Sequence, residues 1–512
     1  MKEPMATPGY LGIDAGTQGL SVVFVDENSN VLATGEGGYE MLPGLPESCY
    51  EQHPADWELA LSAAMNELRS KLATAKCDYE VLAIGISGQM HGEVLIDENG
   101  AILGAVRLWC DCRNEAEGIE LTTRFGVKIP KRMTAARWLW TIRNQAEKAR
   151  LVANITTPAG WISNRLTGQW LLGIGDASGM FPIDQATLDF DERFLKSFDE
   201  LVNKSDIGTL RSLLPAVRRV GADAGSLNRR GAELLGLPIG VPVAPAEGDQ
   251  PASLAGSLIG AAGMVSVSFG TSVCANSVGD RAFVGVSDVV DHFCAPDGKP
   301  INMVFLRNGT TFMNTIMDMF GAAMGGNRNE AFESIMPTVV DAAADCGGLM
   351  ALPFMDDEPG LGVNRGGSAM LYGLNANNSS PGNAVKAALL CTMFNLRLGS
   401  EVLDQRGFPR HEIVLSGGLT RTPALAQVLA DVMNTPVTML SSSAEGCAWG
   451  AALMAKYRRQ FGASETGQWE DFLRQHDTAT RQQFTPNRPD ASVYDSTFLR
   501  YQELIKTMSL TR

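Results

Sequence analysis

A few short strings in the sequence hold residues whose types and spacing can do chemistry. The first, LGIDAGTQGL at residues 11–20, sets an acid (Asp14), a hydroxyl (Thr17) and two glycines (Gly16, Gly19) at a bend between apolar runs. A tight glycine-containing turn bares backbone N–H groups to an anion, and a carboxylate beside it can hold a divalent cation. The bend therefore suits Mg2+ and phosphate oxygens, and it equally suits a plain chain reversal. A second string, MVSVSFGTSVCANSV at 264–278, repeats the grammar: strand, Gly270-Thr271-Ser272, strand. A third joins Glu412–Leu415 to Gly417-Gly418 and then to a helix start at Thr422-Pro423, which fits either a nucleotide-side loop or simple reversal. None of the three is a P-loop, because G-x-x-x-x-G-K-[ST] does not occur at these sites.

Such groups work only if regular elements hold them. Leu11 and Ile13 predict a buried strand, Ser21–Val25 its returning partner, and Val31–Glu36 a further strand. After Pro54 the apolar residues Trp57, Leu61, Met65, Leu68 and Leu72 recur at helical spacing. Val81–Ile86 then reads as a strand ending in Ser87-Gly88-Gln89-Met90-His91-Gly92. Alternation of strand and helix predicts an α/β fold. In VPVAPAEGDQP, residues 241–251, three prolines surround an acidic turn and mark a candidate hinge. Beyond it a long helical pattern covers Asn383–Gln405, and a helix with Thr422 as N-cap and Pro423 as its first residue runs through Leu425, Val428, Leu429 and Val432. Two distant Gly-Thr hairpins predict a duplicated architecture whose turns face each other across a cleft that grips a nucleoside triphosphate.

Composition narrows the choices. A chain of 512 residues predicts at least two large domains, and 45% apolar with 19% charged residues is ordinary for a folded protein. The net charge of -15 argues against a nucleic-acid or anionic-membrane surface, so a polyanionic ligand must be held locally. The nine cysteines follow no disulfide framework, and the N-terminal residues meet Pro and Asp before any signal-like apolar run, which predicts a reducing cytoplasm. Cys110 and Cys112 have no second pair at zinc-site spacing, and Gly260–Val278 is too polar to span a membrane.

Taken in order, LGIDAGTQ, YEQHPADW, GISGQMHG, LWCDCR, NRLTGQW, EGDQPASLAG, SFGTS, YGL, LSGGLTRTPALAQVLAD and EGCAWGAALMA resemble the motifs of the FGGY carbohydrate kinases from Leu11 to about Leu504. Within that family GISGQMHG is most similar to the xylulokinase group. The resemblance implies two ribonuclease-H-like domains of the actin and hexokinase type around a central cleft, at 1–255 and 256–512. It implies ATP and Mg2+ as cofactors and D-xylulose as the sugar. Another ketose or polyol such as ribulose is the nearest alternative, and a non-catalytic ATP-binding regulator the more distant one. A homodimer is a further possibility.

Carried over residue by residue, Asp249 matches the family's catalytic Asp, a general base that also contacts the sugar, and Asp14 the acid near Mg2+ and the transferred phosphoryl group. Gly16, Thr17 and Gln18 match the first phosphate hairpin, Gly270, Thr271 and Ser272 the second, and Gly417 and Gly418 the adenosine side. Met90 and His91 match the sugar-binding pair, and Trp109, Asp111 and Arg113 a segment beside that pocket. The chain departs from the family at Cys110 and Cys112, at Ser21 where Lys or Arg is common, and in LPFMDDEPGLGVNRGG, which keeps Glu358 and Pro359 and offers Arg365 as a substitute cation.

Overall fold

The structure is a computed structural model that describes residues 6–203, 206–363, 366–440, 446–462, 468–476 and 481–510. Two sheets organise it. The first has five strands in the order Val31–Gly38, Gly19–Asp26, Thr7–Ala15, Tyr79–Gly88, Glu247–Gly248. The first three run antiparallel to one another, and the last two lie parallel to Thr7–Ala15. The second sheet has seven strands. Its core, Pro300–Leu306, Val273–Val278, Met264–Phe269, Glu412–Gly417 and Val437–Leu440, repeats the same order and the same directions. Val290–Cys294 extends it at one edge and Arg481–Phe484 at the other. Both are thus ribonuclease-H-like sheets, and the predicted hairpins and duplication are present.

The helix Pro54–Thr74 starts with Pro at its first position and lays Trp57, Leu61, Ala64, Met65, Leu68 and Leu72 on the first sheet. Each large side chain so buried contributes about 1.5–3 kcal/mol of transfer free energy. The opposite face of that sheet is covered by Gly446–Phe461, from the far end of the chain. A Cβ on Gly12 would lie 1.9 Å from Ala448 O, and one on Gly85 1.8 Å from Ala451 O, so the helix backbone rests directly on the strands. The long helix Pro381–Asp404 belongs to the core of the second half, with Leu389, Leu390, Met393, Phe394 and Leu396 all buried.

Two local expectations differ from the structure. The proline-rich segment 241–251, expected as a candidate hinge in an acidic turn, is paired along the first sheet: Ile84 N–H donates to Pro242 O at 2.9 Å, Ala244 N–H to Ile84 O at 2.8 Å, and Glu247–Gly248 pairs with Ser87–Gly88. The prolines sit where the segment edges the sheet, which needs fewer N–H donors than a central strand. The helix after Gly417-Gly418 begins at Ala424 with Pro423 as its cap residue, and no side-chain cap bond is made. A short 3₁₀ turn, Gly418–Arg421, takes up the intervening residues. Among the described residues no helix is long and apolar enough to cross a membrane.

Candidate active site

The bend of the first hairpin is held from behind. Tyr39 OH donates to Gly16 O at 2.5 Å and to Gly19 O at 3.0 Å, and Gln52 Nε2 donates to Thr17 O at 2.7 Å. With the Gly16 and Thr17 carbonyls engaged, those two residues offer a ligand their backbone N–H groups. Trp109 Nε1–H donates to Thr17 Oγ1 at 3.0 Å, which ties the Trp109 segment to the same turn. Asp14 sits at the strand end opposite Ser87 and accepts its Oγ–H on Oδ1 at 2.8 Å. The other oxygen, Oδ2, faces the turn, 4.0 Å from where a Cβ on Gly16 would be. Burial pushes the Asp14 carboxyl up, and the Ser87 hydroxyl offsets this in part.

Asp249 opens the helix Asp249–Gly256 directly after the strand Glu247–Gly248. Its Oδ1 accepts the Gln250 N–H at 2.8 Å. Its deep setting and the charge of Asp14 push its carboxyl up to about 7. Gln250 Oε1 accepts from Asn276 Nδ2 at 2.9 Å on the second hairpin, so the two halves meet beside this acid. Cys447 Sγ–H donates to Asp249 O at 3.2 Å from the crossing helix.

Met90 packs beside Asp249, and His91 follows it in the chain. A Cβ on Gly248 would meet Met90 Cγ at 2.2 Å, so methionine packs against the strand that carries the acid. His91 adopts φ 69° and is buried. Its Nδ1 lies 2.8 Å from Gly179 O, and because a carbonyl only accepts, Nδ1 carries the proton and Nε2 the lone pair. Burial, reinforced by Arg132, pushes the imidazole down to about 3, so the ring is neutral. Phe293, from the edge strand of the second sheet, packs on the ring at 5.4 Å between centroids. Asp111 and Arg113 stand differently. Asp111 accepts from Tyr50 N at 2.9 Å and from Arg113 Nη2 at 2.7 Å, and Arg113 also bonds Glu51. Burial pushes the Asp111 carboxyl up, but the Arg113 guanidinium and backbone donors outweigh it and hold it below its usual range. This pair therefore braces the Trp109 loop.

On the other side, the Gly270-Thr271-Ser272 turn is also held by its carbonyls. Thr310 N–H donates to Gly270 O and Gly309 N–H to Thr271 O, both at 2.9 Å. Gly270 and Thr271 are exposed, as are Gly417 and Gly418. Gly417 has φ 82°, and a Cβ there would lie 2.6 Å from Phe269 O, which puts this glycine against the end of the hairpin strand. Glu358 is buried behind the turn, where it accepts from Asn308 N at 2.9 Å and Asn308 Nδ2 at 3.0 Å. Ser21 lies across from Asp14 in the hairpin register, and Arg365 is outside the described residues.

Sequence comparison bears directly on this arrangement. The family model for the FGGY family of carbohydrate kinases, N-terminal domain, matches residues 9–256, and that for the C-terminal domain matches 265–458. The chain belongs to the FGGY family of carbohydrate kinases. It is 26% identical over 472 residues to the xylulose kinase of Haemophilus influenzae, covering 89% of this chain and 92% of that one. Among solved structures it resembles xylulose kinase from Rhodospirillum rubrum, with TM-score 0.82, 22% identity and 98% of each chain covered. It resembles gluconate kinase from Lactobacillus acidophilus equally in fold, with TM-score 0.82, 18% identity and 98% and 99% covered. FGGY kinases phosphorylate sugars with ATP, and this chain is an ATP-dependent carbohydrate kinase of that family.

Several residues of this FGGY site were not singled out from the sequence. Tyr39, Gln52, Ser87 and Gln250 act on the turn or beside the acids, yet each is bonded to a residue distant in the chain. Gln52 and Ser87 lie inside YEQHPADW and GISGQMHG, so those motifs held the available signal.

Proposed function

We propose that this kinase transfers the γ-phosphoryl group of ATP to a hydroxyl of an open-chain ketopentose, D-xylulose first. The observation that carries the reading is Asp249, at the mouth of its helix with its carboxyl raised to about 7 by burial and by Asp14, beside Met90, which the neutral His91 follows. A sugar hydroxyl attacks phosphorus well only as its proton leaves, and a carboxylate within reach accepts that proton as the O–P bond forms. His91 Nε2 accepts a second sugar hydroxyl, which orients the reacting one toward Asp249. Met90 supplies an apolar wall for the carbon face. Trp109 shapes the entrance next to Thr17, and Asp111 and Arg113 hold that loop in place.

The N–H groups of Gly16, Thr17 and Gln18 and those of Thr271 and Ser272 suit the phosphate oxygens of ATP, and Gly417-Gly418 the adenosine end. Asp14 suits Mg2+: it is a hard oxygen donor with Oδ2 facing the turn. Mg2+ is commonly held by one or two carboxylates together with substrate phosphates, a role one acid can fill. When bound, the ion neutralises charge on the transferring group. The domain division expected at 1–255 and 256–512 places one hairpin in each half, and closure of the cleft excludes water. A cytoplasmic site of action and a possible homodimer fit the reading.

The test is ADP release measured across ketoses, polyols and aldonates. Fastest turnover on D-xylulose, with Asp249→Asn lowering kcat by about 10²–10⁴-fold while ATP and sugar still bind, supports the proposal. Preference for an aldonate or a polyol overturns the sugar. Asp249→Asn turning over within about threefold of the parent overturns the base. ATP binding without turnover on any substrate favours the regulator.

A further inference from the structure

We infer that Glu247 is a positioning residue that sets the tautomer and orientation of His91 through the helix Ile174–Met180; the link to sugar binding rests on the role proposed for His91 above. Glu247 is 1% exposed and stands two residues before Asp249. A buried carboxyl is costly unless donors satisfy it, and burial, with the Asp176 charge beside it, pushes the Glu247 carboxyl well up. Here the donors are the backbone N–H groups at the start of that helix: Asp176 N at 2.8 Å on Oε2 and Gly175 N at 3.3 Å on Oε1. At the other end of the same helix, Gly179 O accepts the His91 Nδ1–H at 2.8 Å. Two contacts and one helix therefore connect the strand bearing Asp249 to the imidazole.

The fit leaves the helix little freedom. A Cβ on Gly175 would lie 2.5 Å from Glu247 Oε2, and one on Gly179 2.8 Å from both His91 Nδ1 and Met90 Cε. Further ties act on the same element: Thr157 Oγ1–H donates to Asp176 Oδ2 at 2.5 Å, and Cys294 N–H donates to Ser178 Oγ at 3.0 Å from the second sheet. A helix of seven residues is too short to hold itself in water, so its place is set by what it touches. Glu247 fixes its start. Gly179 O then fixes the proton on Nδ1, which leaves the lone pair on Nε2. Without Glu247 the helix start loses two bonds, Gly179 O drifts, and the imidazole takes up the other tautomer as well.

The experiment combines ¹⁵N-histidine NMR of the ligand-free protein, with His91→Asn to assign the signals, and separate KM values for sugar and ATP. The parent is expected to show a neutral His91 protonated at Nδ1. Glu247→Ala should mix the tautomers and raise the sugar KM about 10–100-fold, the scale of a small misplacement, while the ATP KM stays within about twofold. Glu247→Gln keeps the volume and one acceptor, and should fall between. Unchanged His91 signals and sugar KM in the folded variants, or equal losses for sugar and ATP, overturn the inference. If Glu247→Ala does not fold, Glu247→Gln decides by the same readouts. If the parent phosphorylates no sugar, the kinase reading fails and the NMR result still decides the role of Glu247.

Discussion

The two hairpins share strand order and a Gly-Thr turn, but the second turn is one residue shorter, with Phe269 paired to Val273 where Ala15 pairs with Leu20, and only the first carries an acid. Two residues before the turn glycine the first has Asp14 and the second Ser268. Asp14 is set deep against Ser87; Ser268 is exposed. Both turns have their carbonyls tied from behind, by Tyr39 and Gln52 in one case and by Gly309 and Thr310 in the other. Of the two turns, only the first is preceded by a charge that can meet a cation. An acid in both would face the triphosphate with surplus negative charge, in a protein already at -15. Under the proposed function the asymmetry divides the tasks: phosphoryl chemistry at the first hairpin, nucleotide holding at the second.

That division can be broken most severely at Asp14. Asp14→Ala should keep the fold, because Leu11 and Ile13 carry the packing, and should lower kcat by about 10²–10³-fold or more, as expected for removal of a preorganised electrostatic group. Thermal melting and Mg2+ titration of turnover on the same variant check it; near-parental turnover at ordinary Mg2+ would refute a special role for the first hairpin. Next comes pH. Asp249 must be ionised to accept a proton, so kcat/KM should fall as pH drops through about 7, with unit slope. The same raised carboxyl has the opposite sign in stability: its contribution is full at low pH and lost as pH rises to about 7. Asp249→Asn should accordingly melt above the parent at pH 8, with the advantage shrinking as pH falls toward the ordinary carboxylate range. A parent and variant with parallel melting curves over that span would contradict it.

Gly417→Ala tests the nucleotide side. Its positive φ and the close Phe269 carbonyl predict a cost of about 1–3 kcal/mol and a raised KM for ATP with the sugar KM unchanged. The smallest effect is expected at Ser268→Asp, which installs the missing acid. Being exposed, it should weaken ATP binding only slightly, more at low salt than at high, and restore no activity to Asp14→Ala. Rescue of Asp14→Ala by Ser268→Asp would show that the hairpins are interchangeable.

Much of this was legible in the chain because the hairpins are local. Leu11, Ile13 and Val22–Val25 flank a glycine-containing bend within one short window, and Met264–Phe269 and Val273–Val278 flank Gly270 in the same way. What was not legible depends on distant partners. Ser87 meets Asp14 across 73 residues, and Tyr39 reaches back 23 to Gly16. The 241–251 segment read as a hinge because proline and an acid signal exposure, whereas Ile84 and Ser87 draw it into the sheet. Glu247 was not singled out in that acidic turn, because its donors come from a helix some 70 residues earlier. His91 was visible as a candidate ligand, but its proton position is set by Gly179 and required the packed structure.

The crossing helix Gly446–Phe461 has a consequence for how the chain is made. Gly12 and Gly85 present bare backbone to Ala448 and Ala451, Trp449 Nε1 donates to Ser29 O at 3.0 Å, and Lys456 Nζ to Glu27 O at 2.6 Å. The first sheet therefore lacks one of its two covers until about 460 residues have been synthesised. At about 5–20 residues per second, that face waits on the ribosome for tens of seconds, uncovered and apolar. Gly12 and Gly85 thin out that face, but Tyr10, Val23, Val25 and Ala83 still stand on it. The part of the molecule that emerges first is thus sealed last.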